Sequence, residues 1–261
     1  MAFNSCQKNE TSNLEDETAL SQQETQLEVV LSDVDFIVEE AIMLNSSPSR
    51  TSTLDSSVYL NDCPVITVNN ESNPKVMTID FGTVCTGKDG KIRSGKIIVT
   101  TENLSRLSST RNKTFENFFV DENKIEGSVT KSIEKDTSLK TNTAVLVEDI
   151  TITFPDNEVS AHRTSNMTRK TFRNNLRDRL DDQVVSWGTI LYTRVSGVTV
   201  TKTITEESPL VFNVACQHIV SGVVSFNSTN NRNWTLDYGN GDCDDKAMLT
   251  KNGVTKEITI R

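Results

Sequence analysis

Apolar residues change their spacing along this chain, and the change divides it. From Glu24 they recur at three and four: Leu27, Val30, Leu31, Val34, Ile37, Val38, Ala41, Ile42 and Leu44. That period places them on one stripe of an amphipathic helix over residues 24–45, with Asp33, Glu39 and Glu40 off the stripe. Many of the stripe residues are β-branched, which lowers helix propensity, so the helix needs a surface to pack on. Its polar face is acidic, the wrong sign for an anionic membrane surface, and this points to docking on its own domain. Residues 1–23 are polar and acidic without apolar period and read as a flexible tether. Residues 46–62, with "SSPSRTSTLDSS", read as a linker.

From Cys63 to Arg261 the apolar residues come in short runs parted by turn residues, and alternation replaces the helical period. Ile150, Ile152 and Phe154 share one face while Thr151 and Thr153 share the other. Trp234, Leu236 and Tyr238 likewise oppose Thr235 and Asp237. The joints are tight-turn sequences: Asp89-Gly90, "VDENK" at 120–124, "PDNE" at 155–158, Ser196-Gly197 and Asn252-Gly253. Short turns force antiparallel neighbours. The expected fold is therefore all-β, an antiparallel meander of about a dozen strands over residues 63–261, with the N-terminal helix packed on it. Whether the sheet is one curved layer or a two-layer sandwich is left open. "NMTRKTFRNNLRDRLDDQ", residues 166–183, departs from the pattern and reads as a helical turn or a crossing loop. Its charges read as a solvated face, with an anion site as the sharper alternative.

One short phrase occurs twice. "TIDFGTVC" (Thr78 to Cys85) and "TLDYGNGDC" (Thr235 to Cys243) both run Thr, aliphatic, Asp, aromatic, Gly and then Cys. In each, Asp80 or Asp237 lies between two inward residues and is placed to accept hydrogen bonds from the amides of the turn. Gly82 or Gly239 ends the strand. A duplicated structural corner is the expected meaning, ahead of two pseudo-symmetric ligand sites.

The cysteines fit that reading. There are five: Cys6, Cys63, Cys85, Cys216 and Cys243. The repeat favours Cys63 with Cys85 and Cys216 with Cys243 among the three pairings that four cysteines allow. Such bridges persist only in an oxidising compartment. The odd residue, Cys6, closes "FNSC", which looks like the end of a bacterial lipobox. A basic and an apolar region should precede such a site, so a leader upstream of Met1 is expected.

Larger stretches carry a resemblance. "TIDFGTVCTGKDGKIRSGKIIVT", "ENFFVDENKIEGSVT", "PLVFNVACQHIVSGVV" and "NWTLDYGNGDCDDKAMLTKNGVTKEITIR" resemble a family of uncharacterised lipoproteins of Bacteroidota-type bacteria. The resemblance covers most of residues 63–261. It implies export and lipid attachment at Cys6, and "CQKNE" is similar to the signal that sends such lipoproteins to the cell surface. An outer-membrane, surface-exposed location follows as the expectation, with the membrane reached through the lipid. The resemblance implies no activity.

Chemistry is sparse. The net charge of −9 is the wrong sign for a general nucleic-acid binder. His162 and His218 have no metal-ligand spacing, and no nucleophile elbow, phosphate loop or dinucleotide fingerprint is present. No cofactor is expected. Asp242, Asp244 and Asp245 make an acidic knot around Cys243 that calcium would accept, but the pattern of an EF-hand is not met, and a solvated turn is the expected reading. The leading expectation is a lipid-anchored, non-enzymatic binding or structural module with a protein or glycan partner at the envelope. The alternatives are a glycan hydrolase using a carboxylate pair and a carrier that cups an apolar lipid in a half-open sheet. Few aromatic residues are available as sugar platforms, Trp187 and Trp234 among them, which weakens the hydrolase.

Overall fold

The fold is known from a computed structural model, which describes residues 7–46, 60, 63–102, 105, 107–155, 160–173, 182–194 and 197–260. One helix precedes a single sheet of fifteen strands. Helix α1 spans Gln7–Ser46. The first strands are β1 (Val65–Asn69), β2 (Lys75–Asp80), the two-residue β3 (Cys85–Thr86) and β4 (Ile92–Glu102). Longer ones follow: β5 (Ser108–Val120), β6 (Asn123–Asp136), β7 (Thr141–Thr153), β8 (Ser160–Phe172) and β9 (Gln183–Arg194). The chain closes with β10 (Thr199–Ile204), β11 (Leu210–Asn213), β12 (His218–Ser228), β13 (Asn233–Asn240), β14 (Lys246–Lys251) and β15 (Val254–Thr259).

The meander is the one the turn spacing predicts. Neighbours in sequence are neighbours in the sheet, and every pairing is antiparallel. The two-residue β3 lies off this order, paired only with β4, and one further position departs from it. β10 and β11 lie end to end between β9 and β12, β10 against Gly188–Thr193 and β11 against Gln183–Ser186. The interruption brings the Pro209 carbonyl against β12 at Gly222 (φ +112°), where an added Cβ would meet that oxygen. Only glycine fits that approach and that backbone conformation.

The sheet is one curved layer, and it curls around the helix. Val34, Ile37, Val38, Ala41 and Leu44 form one core cluster with Met77 and Ile79 of β2, Ile97 and Val99 of β4 and Phe118 of β5. In its N-terminal half the helix reaches β15, where the Gln22 side-chain amide donates to the Thr259 carbonyl. A single straight rod can touch both edges of a long sheet only if the sheet wraps it. A second cluster fills the concave face of β6 to β15 around Ile150, Ile152, Met167, Tyr192, Phe226 and Leu236, joined by Leu31 of the helix. Trp234 stacks on Phe226 with ring centroids 4.8 Å apart.

Two expectations need correction. The helix begins at Gln7, so residues 7–23 are helical rather than a tether. The apolar period misses this stretch because its contacts are polar: Glu17 is buried against Arg232 and Lys251, and Ser21 accepts from Trp234 Nε1 at 2.9 Å. The basic stretch at 166–183 begins as strand, since β8 runs to Phe172; residues 174–181 lie outside the described ones. Most of the linker, and Cys6, also lie outside them. Within the linker Leu60 is described and buried, its amide donating to Glu40 Oε2 at 2.9 Å.

Candidate functional site

The helix carries a second stripe beside its apolar one. Glu17, Ser21, Glu28, Asp35 and Glu39 follow one another at four or seven residues, spacings that keep them on one face. The strands answer with cations at inward positions of the pleat. Arg111 and Lys113 alternate on β5, and Arg163, Ser165, Met167 and Arg169 alternate on β8, all buried. Lys131 on β6 and Lys202 on β10 face the same way.

The pairing is dense. Arg163 Nη1 lies 3.3 Å from Glu28 Oε2, Arg169 Nη2 2.9 Å from Glu28 Oε1, and Lys202 Nζ 3.8 Å from the same carboxylate. Glu148 of β7 accepts from Arg163 Nε at 2.9 Å and from the Ser165 hydroxyl at 2.5 Å. Asp35 is shared by Lys113, Lys131 and Arg169. Further along, both oxygens of Asp33 accept from Arg93 Nη2 at 2.8 Å, and Arg93 is braced by Asp89 of the β3–β4 hairpin. Asp33 and Glu40, off the apolar stripe by sequence, are thus buried and engaged rather than solvated.

Burial alone would raise the Glu28 carboxyl, but Arg163, Lys202 and Arg169 outweigh it and hold it far below the usual carboxylate range. The same holds for Asp35, where Lys113, Lys131 and Arg169 overcome the burial. Lys113 moves the other way, its ammonium pushed down by burial beyond what Asp35 restores. A catalytic acid needs a raised carboxyl, so Glu28 and Asp35 are poor candidates for that work.

Two cavities flank the helix. The first, about 290 Å³, lies between Phe36 and Met43 of α1 and the sheet, with Arg111, Lys131, Lys135 and Phe212 in its wall. The second, about 400 Å³, answers what the repeated phrase does. Lys91 follows the corner of Cys85, Gln217 follows Cys216, and Asp244, Asp245 and Lys246 follow Cys243; all line this one cavity, with Tyr238 and His218. The corners themselves form as the repeat predicts. Cys63 is bonded to Cys85 and Cys216 to Cys243, with Cα atoms 5.8 and 5.7 Å apart. Asp80 Oδ1 accepts from the Gly82 amide and Asp237 Oδ1 from the Gly239 amide, each at 2.9 Å. Both glycines have positive φ. The two copies are structural corners that converge on shared space.

The acidic knot is spread out. Asp242 and Asp244 are exposed, and Asp244 Oδ1 accepts from the Lys246 amide at 3.1 Å. Among the described residues no three His, Cys, Asp or Glu side chains converge on a metal-sized space. Millimolar calcium is therefore expected to leave the melting temperature unchanged, in the parent and in a variant with Asp242, Asp244 and Asp245 all replaced by Asn. A bound ion at a hundred times its dissociation constant would add ~2.7 kcal/mol, a shift of several degrees. Such a shift in the parent alone would make the knot a metal site. His162, on β8, meets exposed Asp149 at 2.7 Å on the outer face, away from both cavities.

Sequence reading missed the buried cations and their helix acids. A signal existed: the helical spacing of Glu28, Asp35 and Glu39 and the strand alternation of Arg163 and Arg169 each have the period of a buried face. Comparison with known proteins returns no match to a family model, a curated protein or a solved structure.

Proposed function

We propose that this chain is a lipid-anchored protein of the cell envelope that acts as a non-enzymatic binding module, with the outer membrane as its location. The observation that carries the module reading is the filling of the sheet's concave face. The chain's own helix occupies the trough, and Glu28 and Asp35 are committed to cations there. A carrier of the simplest kind would leave the trough open, and a glycan hydrolase would keep two unpaired carboxylates a few ångströms apart. Among the described residues the fold offers two cavities beside the helix for recognition. The oxidised corners support an extracytoplasmic setting, and "FNSC" supports the anchor.

The anchor is tested in a bacterial host that processes lipoproteins, with a lipoprotein leader supplied ahead of Cys6. Cys6 is expected to carry acyl chains in the membrane fraction, and Cys6→Ser to release the protein to the soluble fraction. An unmodified N-terminal peptide recovered from membranes by mass spectrometry removes the anchor.

A further inference from the structure

We infer that the cavity between Phe36 and Met43 of α1 and the inward faces of β5 and β6 binds a small amphipathic anion, a medium-chain alkyl carboxylate. The inference rests on the binding-module reading and names the ligand class of one of its cavities.

Two unlike walls face each other. One is apolar: Phe36 and Met43 on the helix, Ile133 on β6, Leu210 and Phe212 on β11. The Phe36 and Phe212 rings stand 5.9 Å apart between centroids, and Met43 is 45% exposed. A thioether left half in water beside two tilted aromatic rings marks an apolar surface open to a ligand. The other wall is cationic and only partly satisfied. Arg111 is 7% exposed, yet only its Nη1 is engaged, with Glu39 at 2.6 Å. Its Nε and Nη2 find no acceptor among the described residues, yet they are not sealed from solvent, so they stay able to donate to an anion in the cavity. Lys135, on the same face of β6 as Lys131, is exposed and has no ion pair among the described residues.

Charge sets the valence of the ligand. Five cationic and four acidic side chains line this cavity, three of the acids on the helix and the fourth Asp182 before β9, so together they neutralise all but one positive charge. A monovalent head suits that excess better than a phosphate dianion. A carboxylate presents two oxygens to a guanidinium fork, the geometry in which Arg–anion contacts are strongest. Each methylene laid against the apolar wall adds about 0.8 kcal/mol, so chain length should matter as well as charge. At about 290 Å³ the space is at the small end for a ligand pocket, which excludes a diacyl lipid.

The test titrates the purified full chain with sodium decanoate below its micelle concentration, with 1-decanol and acetate as the neutral and short-chain controls. Calorimetry should show saturable binding of decanoate, with decanol and acetate at least tenfold weaker. Lys135→Glu, at an exposed position without an ion pair, should leave the unliganded melting temperature unchanged and weaken decanoate about tenfold. Arg111→Gln should weaken it further, provided circular dichroism shows the fold retained. Equal binding of decanol and decanoate, or undiminished binding by Lys135→Glu, would overturn the anion site. So would absence of any saturable heat with decanoate. None of these results touches the anchor, which is read separately from the mass of the Cys6 peptide.

Discussion

Glu28→Ala is expected to destabilise the protein by about 3–5 kcal/mol, the usual cost of removing one partner from a buried ion pair. Glu28 is 4% exposed and stands among Arg163, Arg169 and Lys202, so its loss removes the carboxylate all three share and leaves only Glu148 and Asp35 to face Arg163 and Arg169. For a domain of this size the melting temperature should fall by roughly 10 °C. Glu257→Ala, which breaks the exposed pair with Lys246, should leave it unchanged. Urea unfolding of the two variants decides the matter, and a loss at Glu28 no larger than that at Glu257 would falsify the ionic seam as a source of stability.

The same carboxylates set the response to acid. Glu28 and Asp35 are both depressed in the folded chain, while unfolded Glu and Asp titrate near ~4.3 and ~3.9. A depressed carboxyl stabilises fully above its unfolded value, and that contribution drains as pH falls toward the folded one. Stability should therefore decline from about pH 5 downward. Glu28→Gln and Asp35→Asn should flatten that decline as well as lowering the plateau near neutral pH. An unchanged acid limb in both variants would assign the acid response to other groups.

Removing either disulfide should cost about 3–4 kcal/mol by the loop-closure model, since the bridges close segments with sequence separations of 22 and 27. Cys63→Ala with Cys85→Ala, and Cys216→Ala with Cys243→Ala, remove one bridge each without leaving a lone thiol. The two losses should add, because the loops are separate. Cys63 and Cys243 are both exposed, but Cys85 is buried while Cys216 is only half-buried, so limiting reductant should open the Cys216–Cys243 bridge first. Denaturant midpoints of the two double variants and the quadruple variant measure these terms, and losses below 1 kcal/mol would show that the corners hold their shape without the bond.

Much of the fold was legible because the strands on either side of the tight turns obey alternation. Ile150 and Ile152 announce their face, and Trp234, Leu236 and Tyr238 announce theirs. β8 escaped for the opposite reason. Its inward residues include Arg163, Ser165 and Arg169, while its outward ones include Thr164, Asn166 and Thr168, so both faces look polar in the sequence. The first part of the helix escaped likewise, because Glu17 and Ser21 dock through oxygen atoms. Hydrophobic patterning assumes that buried means apolar, and it fails wherever one buried charge is matched by another. The corners were readable from the repeated phrase. Their meeting at one cavity was not, because that depends on how far the sheet curls, which no local pattern encodes.

The order of synthesis gives the long helix a distinctive folding problem. Every strand pairs with near neighbours in sequence, so most of the meander can form by successive local hairpins as the chain lengthens. The helix is made first, yet its partners come late: Glu17 waits for Arg232 and Lys251, and Gln22 for Thr259. Until β13 to β15 exist, the first turns of α1 have none of those contacts, and a lone helix gains little from propensity alone. The N-terminal half of α1 therefore stays uncommitted until β13 to β15 arrive, and its docking on them closes the sheet around the helix. A chain truncated before β13 would retain many of its hairpins but lack that closing step, leaving its concave charges open to water and to proteases.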